Sequence, residues 1–446
     1  MSETDPKMLG FPPEVFAQRR ERVLGSLGKG VMVLPAAPTL YRSRDVELRY
    51  RPDSELFYLS GLTEPEAVAV LSGEGETERF TLFVSPRDPD AELWSGARLG
   101  PERAKEIFGA DAAYPIDDLE TRLPALLDDP DRVFFRLGHR GPAQALVLAA
   151  LQRARLKGPR RGTGPRAIVD PGVVLDDLRL VKDEHEVDRI RRAAALSVEA
   201  FRAALAAVRP GLGEWELESL IDHAFRAGGG AGPAYPTIVA SGANACVLHY
   251  VDNDRSIGDG DLVLVDAGAE VGMYAADITR TFPASGSFSG VQRAVYEIVA
   301  RANRAAVEAV APGSTIGDVH AAGLYVLVEG LAELNVLEGE VAMLIEEGAH
   351  KPYFPHQTSH WLGLDVHDVG DYACDAEPRL LEPGMVLTVE PGLYFRSDLT
   401  GTSTSGAELS GIGVRVEDDV LVTVDGHEIL TGDLPVAAGE IEELIG

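Results

Sequence analysis

Asp261-Leu262-Val263-Leu264-Val265-Asp266 and, eleven residues on, Asp277-Ile278-Thr279-Arg280-Thr281-Phe282 are the stretches on which the reading of this chain turns. Each carries the period-two pattern of a strand, and Gly268 and Gly272 between them permit a tight reversal, so the pair predicts a β-hairpin. Asp266 ends the first strand and Asp277 begins the second. The hairpin would therefore bring two carboxylates together where neither has an obvious basic neighbour in sequence.

Two more acids repeat the arrangement downstream. Glu390 terminates the apolar run Met385 to Val389, and Glu417 follows Gly413-Val414-Arg415-Val416 within a strand-like stretch from Gly413 to Val424. An acid at a strand end is more often a turn or cap residue when it stands alone; four of them in or beside apolar strands are another matter. Like charges buried together are strongly unfavourable unless protons or cations intervene, so the pattern predicts a metal. His350, His356, His360 and His367 crowd into one 18-residue window. Imidazole both ligates borderline metals and transfers protons near neutrality. Asp418-Asp419 reads as the start of a solvated turn, and Glu338, Glu340, Glu346 and Glu347 as a solvated face. His139, His185, His223, His320 and His427 read as structural, and Cys246, within Ala245-Cys246-Val247-Leu248, as core rather than nucleophile. Gly228-Gly229-Gly230 lacks the Lys-Ser/Thr ending of a phosphate-binding loop, so no nucleotide site is expected.

Upstream, Val187, Ile190, Ala194, Val198, Phe201, Leu205 and Val208 recur at helical spacing, with Asp183 and Glu186 as a capping pair and Pro210-Gly211 as the stop. A second helix is predicted from Glu214 to Ala227. Before position 170, short apolar runs (Val31 to Leu34, Ala67 to Leu71, Phe80 to Val84, Arg132 to Phe135) alternate with helical stretches, as in mixed α/β domains. Residues 1–175 carry 24 basic and 26 acidic side chains, whereas residues 176–446 carry 17 and 45. The shift in charge and the Gly/Pro/Arg-rich stretch from Lys157 to Arg166 mark two domains, 1–175 and 176–446, of α+β class.

The 446 residues, 45% hydrophobic and 25% charged, describe a soluble globular chain. The net charge of −30 argues against nucleic acid or an anionic membrane surface as partner. No apolar run is long enough for a membrane span, and the polar start Met1 to Lys7 does not read as a secretory leader. Two cysteines, Cys246 and Cys374, provide no disulfide framework. The expected location is cytoplasmic.

Five blocks taken in order, Val265 to Gly268, Asp277 to Phe282, Ser359 to Asp368, Val389 to Tyr394 and Val414 to Asp418, resemble those of aminopeptidase P, a proline-specific family of pita-bread metallopeptidases. The likeness spans about 180 to 446 and extends more weakly into Arg51 to Leu71 and Glu92 to Gly100. It implies a pita-bread catalytic domain preceded by a smaller mixed α/β domain serving oligomerisation and substrate access. It also implies an Xaa-Pro aminopeptidase with two divalent metal ions, Mn²⁺ foremost and Co²⁺, Fe²⁺ or Zn²⁺ as substitutes. In the family's pattern Asp266 binds one metal, His360 and Glu390 the other, and Asp277 and Glu417 bridge. His249, His356 and His367 hold substrate and stabilise the tetrahedral intermediate, and Glu390 shuttles a proton to the leaving proline nitrogen. Arg415 balances the carboxylates and Tyr394 lines the cleft. Asp45 and Trp94 come from the N-terminal domain, Trp94 reaching a neighbouring subunit's site, which implies a homo-oligomer, dimer or tetramer, acting on proline-containing peptides.

Two departures bear on substrate. Gln357-Thr358 replaces the Gly-Leu usual after the first histidine of the family's His-Gly-Leu-Ser-His block, here His356 to His360, and Ala376 stands where an Arg is often found. The alternatives are therefore an Xaa-Pro dipeptidase (prolidase) or carboxypeptidase action. A non-catalytic peptide-binding relative is the reading from a different class, and retention of all five ligand positions speaks against it.

Overall fold

The computed structural model describes residues 9–74, 78–139, 141–399 and 409–445. The polar start Met1 to Lys7 lies outside them. The chain divides into two compact units, Met1–Asp177 and Leu178–Gly446.

In the first unit the predicted apolar runs become a six-stranded mixed sheet in the order Ala112–Pro115, Phe80–Val84, Val68–Ser72, Gly30–Pro35, Arg132–Phe134, Ala167–Val169. Gly30–Pro35 runs antiparallel to Val68–Ser72 and parallel to Arg132–Phe134. Val31, Val33, Val68, Val70, Phe83 and Val133 share one face, covered by Leu119, Leu123 and Val147 from helices Leu119–Leu126 and Pro142–Arg161. Met32, Leu34, Ala69 and Leu71 on the alternate face are buried as well. A sheet covered on both faces explains why these strands read as continuous apolar runs rather than as alternating ones.

The second unit opens with helix Glu184–Ala207. Asp183 accepts from the backbone N–H groups of His185 and Glu186, and Glu186 returns the bond to the Asp183 N–H, which closes the expected capping box. Val187, Ile190, Ala194, Val198, Phe201 and Leu205 form the buried face. Glu214–Ala227 is the second helix, with the predicted ends. Strand Leu262–Ala267 lies between Ile238–Ser241 and Ile278–Pro283, antiparallel to both. Gly268 lets the two arms approach closely, because a Cβ there would stand 1.7 Å from the Ala276 carbonyl oxygen, and the chain reverses at Gly272-Met273. Helices Gly290–Glu308 and Ile316–Glu333 pack on each other and contribute Val295, Val299, Leu327 and Leu331 to the main core.

The stretch from Gly413 to Val424 is not one strand. Gly413–Arg415 pairs with Gly392–Tyr394, and Asp418–Thr423 pairs with Val386–Val389 and Gly426–Ile429 in a different sheet. The break at Val416-Glu417 arises because the Glu417 N–H turns to the Thr279 carbonyl (3.0 Å) instead of continuing either ladder. This also corrects the expectation for Asp418-Asp419. Asp418–Thr423 is the middle strand of its sheet, so both acids are buried, Asp419 completely (0% exposed), rather than solvated in a turn. The glutamates at 338, 340, 346 and 347 are exposed, as expected.

Candidate metal centre

Backbone pairing brings the five candidate ligands together from four places in the second unit. Register sets Asp266 opposite Thr279 and Ala267 opposite Ile278, so Asp266 and Asp277 emerge at the same end of the hairpin. The segment from Thr358 to Leu362 runs beside Val386–Val389. There the Thr388 N–H donates to the His360 carbonyl (2.9 Å), the Glu390 N–H to the Thr358 carbonyl (2.8 Å) and the Leu362 N–H to the Val386 carbonyl (3.1 Å). Glu417 arrives through the strand break.

Side-chain atoms of Asp277, His360 and Glu417 all lie within 4.8 Å of one another. His360 Nε2 is 3.5 Å from Asp277 Oδ2 and 3.7 Å from Glu390 Oε1. His360 Nδ1 lies 3.0 Å from the Trp361 carbonyl, which requires a proton there, so Nε2 faces the carboxylates: protonated when no cation is bound, and a lone pair in the orientation of a metal ligand once that proton is displaced. Asp266 and Asp277 share one phenol: Tyr235 Oη lies 2.6 Å from Asp266 Oδ1 and 2.5 Å from Asp277 Oδ1. That hydroxyl has a single proton for two carboxylate oxygens, so the other oxygen needs a proton or a cation. Four carboxylates and an imidazole form a hard, oxygen-rich set that fits a divalent ion such as Mn²⁺.

The balancing cation is Arg415. Its Nη2 donates to Asp266 Oδ2 (2.5 Å), its Nη1 to the Tyr394 hydroxyl (3.1 Å) and its Nε to Thr279 Oγ1 (3.0 Å), while that hydroxyl donates to Glu417 Oε2 (2.6 Å). Two groups that a reading of the sequence missed complete the frame. Tyr235, between two prolines, carries no local signal. Asp419 accepts the Asp277 N–H (3.1 Å) and so fixes the backbone of a candidate ligand.

Burial dominates the ionisation of the acids. It raises Asp266, assisted by Asp277 and opposed by Arg415, and it pushes Glu390 up to about 7 against the pull of His360 and Arg415. Glu417 and Asp419 are raised well above the carboxylate range, first by burial and then by Asp277. His360 rises to about 9 because Asp277 and Glu390 outweigh the opposing effect of its burial. The sign follows for cation-free protein. Raised acids keep protons that the unfolded chain releases above about 4.3, and a raised histidine keeps one that the unfolded chain releases above about 6.5, so both lose stability as pH rises. Chelated protein should therefore melt progressively lower from pH 5 to pH 9. The melting gap to cation-loaded protein should widen over the same range, as thermal scans with and without chelator would show; a gap independent of pH would contradict a buried carboxylate centre.

The remaining candidates take distinct positions. Tyr394 Oη is 2.9 Å from His356 Nε2, and His356 Nδ1 is 2.7 Å from the Gln357 carbonyl, so both ring nitrogens of His356 are engaged. Burial, with Arg415 nearby, lowers His356 to about 4 and keeps it neutral. His367 stands edge-on to His360 with ring centres 4.4 Å apart, and His249 is exposed on the loop after Ala245. Asp45 and Trp94 belong to the first unit. Asp45 lies in the turn between Tyr41–Ser43 and Val46–Glu47, and Trp94, on helix Pro89–Ser95, is 89% exposed. His320, read as structural, is hydrogen-bonded to Thr358 Oγ1 (2.8 Å).

The model of metallopeptidase family M24 matches residues 188–424, the span that carries all five candidate ligands. The chain belongs to metallopeptidase family M24. Within that family its first unit matches the N-terminal domain of aminopeptidase P over residues 16–134. The Xaa-Pro aminopeptidase of Escherichia coli (strain K12) is 42% identical over 433 residues, covering 96% of this chain and 97% of that protein. The structure of Pseudomonas aeruginosa aminopeptidase PepP superposes with a TM-score of 0.93 at 45% identity, covering 98% of each chain. A zinc-substituted E. coli aminopeptidase P in complex with product gives 0.92 at 40% identity, again covering 98% of each. This M24 chain thus has the α+β fold of aminopeptidase P, with an N-terminal domain ahead of the metallopeptidase domain.

Proposed function

We propose that this chain is an Xaa-Pro aminopeptidase, a metal-dependent hydrolase that removes the N-terminal residue preceding proline. The observation that carries the proposal is the convergence of Asp277, His360 and Glu417, flanked by Asp266 and Glu390, in an M24 chain similar over its whole length to Xaa-Pro aminopeptidases.

Asp266, Asp277, His360, Glu390 and Glu417 would hold two divalent cations. The charge balance supports that number: four carboxylates face the single guanidinium of Arg415, leaving an excess of negative charge that one divalent ion would not cancel. Mn²⁺ is the ion we favour, with Co²⁺, Fe²⁺ or Zn²⁺ able to occupy the same donors. Bound there, the cations would supply Lewis-acid activation of water and of the scissile carbonyl. The rest is the work of the chain. Arg415 and Thr279 hold Asp266 and Glu417 in place, and Tyr394 links Arg415 to His356. Glu390 carries the proton to the leaving proline nitrogen, its two oxygens lying 3.7 Å from His360 Nε2 and 3.6 Å from His356 Nδ1. His249 and His367 present imidazoles to substrate. The X-Pro amide has no N–H and its ring fixes φ, so recognition needs a dedicated site.

We place the enzyme in the cytoplasm as a homo-oligomer, dimer or tetramer, with Asp45 and Trp94 contributing to substrate access. The free thiols Cys246 and Cys374 fit a reducing compartment, and the exposed Leu93 and Trp94 fit a surface that a second copy covers. Among the described residues no helix is long and apolar enough to cross a membrane.

Purified protein with Mn²⁺ should release the first residue of Xaa-Pro-Yaa-Zaa peptides and elute as an oligomer. Cleavage of Xaa-Pro dipeptides alone would favour the prolidase reading, C-terminal products would favour carboxypeptidase action, and intact peptides with every divalent ion tried would overturn the assignment.

A further inference from the structure

The segment from Ser241, the last residue of strand Ile238–Ser241, to Arg255 forms the loop that carries His249, and its course is set by a side chain outside the metal centre. Glu214, the first residue of helix Glu214–Ala227, is fully buried at 0% exposure. Its Oε1 accepts from the Ser241 N–H (2.7 Å), the Ser241 hydroxyl (2.7 Å) and the Asn244 amide (3.3 Å). Its Oε2 accepts from the Tyr250 hydroxyl (2.9 Å) and the Arg255 N–H (3.0 Å). All five donors are neutral groups, and they come from the start, middle and end of the loop. A carboxylate buried this deeply requires such donors, and a loop that supplies five of them has little freedom left in its backbone.

Further contacts close the frame. The Glu214 N–H donates to the Arg255 carbonyl (2.9 Å), and Gly213 and Ser256 form an antiparallel bridge. At the other side, a Cβ on Gly413 would stand 2.2 Å from the Ala245 carbonyl, so the loop lies directly against the strand that leads to Arg415. Leu248 and Tyr250, the two neighbours of His249, pack against the cluster that contains Tyr394, the phenol joining Arg415 to His356. His249 itself is exposed, between these two anchored neighbours.

We propose that Glu214 and Tyr250 are positioning residues for His249: the buried carboxylate grips the Tyr250 hydroxyl and so holds the adjacent imidazole at the edge of the metal centre. The proposal rests on the Xaa-Pro aminopeptidase reading, in which His249 handles substrate. An exposed imidazole on an unrestrained loop would sample many orientations, and a displacement of about 1 Å in a group that contacts substrate can cost up to about a hundredfold in rate. Tyr250 removes that freedom through its hydroxyl, whose single proton faces Glu214 Oε2 at 2.9 Å and Asp254 Oδ1, on the same loop, at 3.1 Å.

The test is a double-mutant cycle on full-length, Mn²⁺-loaded protein with an Xaa-Pro-Yaa peptide. Tyr250→Phe deletes one hydroxyl and should lower kcat about tenfold with metal content unchanged. In a His249→Ala background the same change should alter kcat by less than about twofold, because the group it positions is gone. Glu214→Gln, which aims an amide N–H at existing donors, should reproduce the loss; should it fail to fold, Tyr250→Phe decides alone. As a readout independent of turnover, the His249 ring resonance of zinc-loaded protein, assigned by its loss in His249→Ala, should shift in Tyr250→Phe. An unchanged kcat and resonance, or an equal loss of kcat with and without His249, would overturn the proposal. Wild-type protein inert toward every such peptide would instead overturn the functional reading beneath it.

Discussion

Asp277→Asn should empty the metal centre and lower kcat/KM on an Xaa-Pro-Yaa peptide by about a thousandfold or more, while raising the melting temperature of the chelated protein at pH 8. The rate loss corresponds to about 4 kcal/mol, the scale of Lewis-acid stabilisation by bound cations. Asp277 belongs to the tight group with His360 and Glu417, and its other oxygen shares the Tyr235 phenol with Asp266. An amide at this position offers a donor where a cation requires an anionic oxygen. The gain in metal-free stability follows from the same geometry, since Asp277 raises the pKa of Asp266, Glu390, Glu417 and Asp419, and removing its charge lowers the cost of ionising four buried acids, which is expected to exceed the lost attraction to the single imidazolium of His360. Metal analysis, steady-state kinetics and thermal scans with chelator measure the three effects. A variant that retained its cations, or that melted lower than wild type when chelated, would show that these acids are not held together by cations.

Arg280→Met should cost about 3–5 kcal/mol of folding stability, the loss expected when one partner of a buried ion pair is removed and the other stays buried. Arg280 is fully buried, and each of its guanidinium nitrogens is used. Nε donates to the Pro435 carbonyl (3.0 Å), Nη1 to the carbonyls of Thr279 (3.0 Å) and Glu417 (2.6 Å), and Nη2 to Asp418 Oδ1 (2.7 Å) and the Leu434 carbonyl (2.9 Å). Methionine would leave four carbonyls and a carboxylate with unmet hydrogen-bonding capacity. Two of those carbonyls belong to Thr279 and Glu417, so the centre should loosen and cation affinity should fall as well. Arg191→Met is the control. Its pair with Glu428 is half-exposed and screened by water, so its loss should change stability by about 0–1 kcal/mol. Chemical denaturation of both variants provides the comparison, and a loss of less than about 1 kcal/mol for Arg280→Met would mean that Asp418 is satisfied by other partners such as Thr431.

Much of the candidate site was legible in the sequence because its acids are coupled to local periodicity. Asp266 and Asp277 flank strands whose pattern is visible in a six-residue window, and Gly268 marks the close return between them. Glu390 ends another apolar run, and the histidine window is a local excess. Local pattern failed where the answer depended on what lies across a sheet. The run from Gly413 to Val424 reads as one strand because its residue types favour extended backbone throughout; it divides because Glu417 bonds to Thr279, 138 residues earlier. Asp418-Asp419 reads as polar punctuation because consecutive acids usually face water. Arg280, Thr431 and the Asp277 N–H, none of them a near neighbour, make their burial tolerable.

From its sequence alone this protein is defined as an α+β chain whose acidic second half carries carboxylates and a histidine suited to a metal, since strand and helix periods and the cost of crowding like charges are properties of short segments and residue types. Only the tertiary structure decided who balances whom. It showed that Arg415 pairs with Asp266 rather than with its sequence neighbour Glu417, that Tyr235 bridges two aspartates, and that Glu214 secures the loop bearing His249. The reason is physical: a buried charge takes its partner from whatever the sheet register and loop closure set within about 3 Å, and that distance is fixed by the packed chain, not by separation along it.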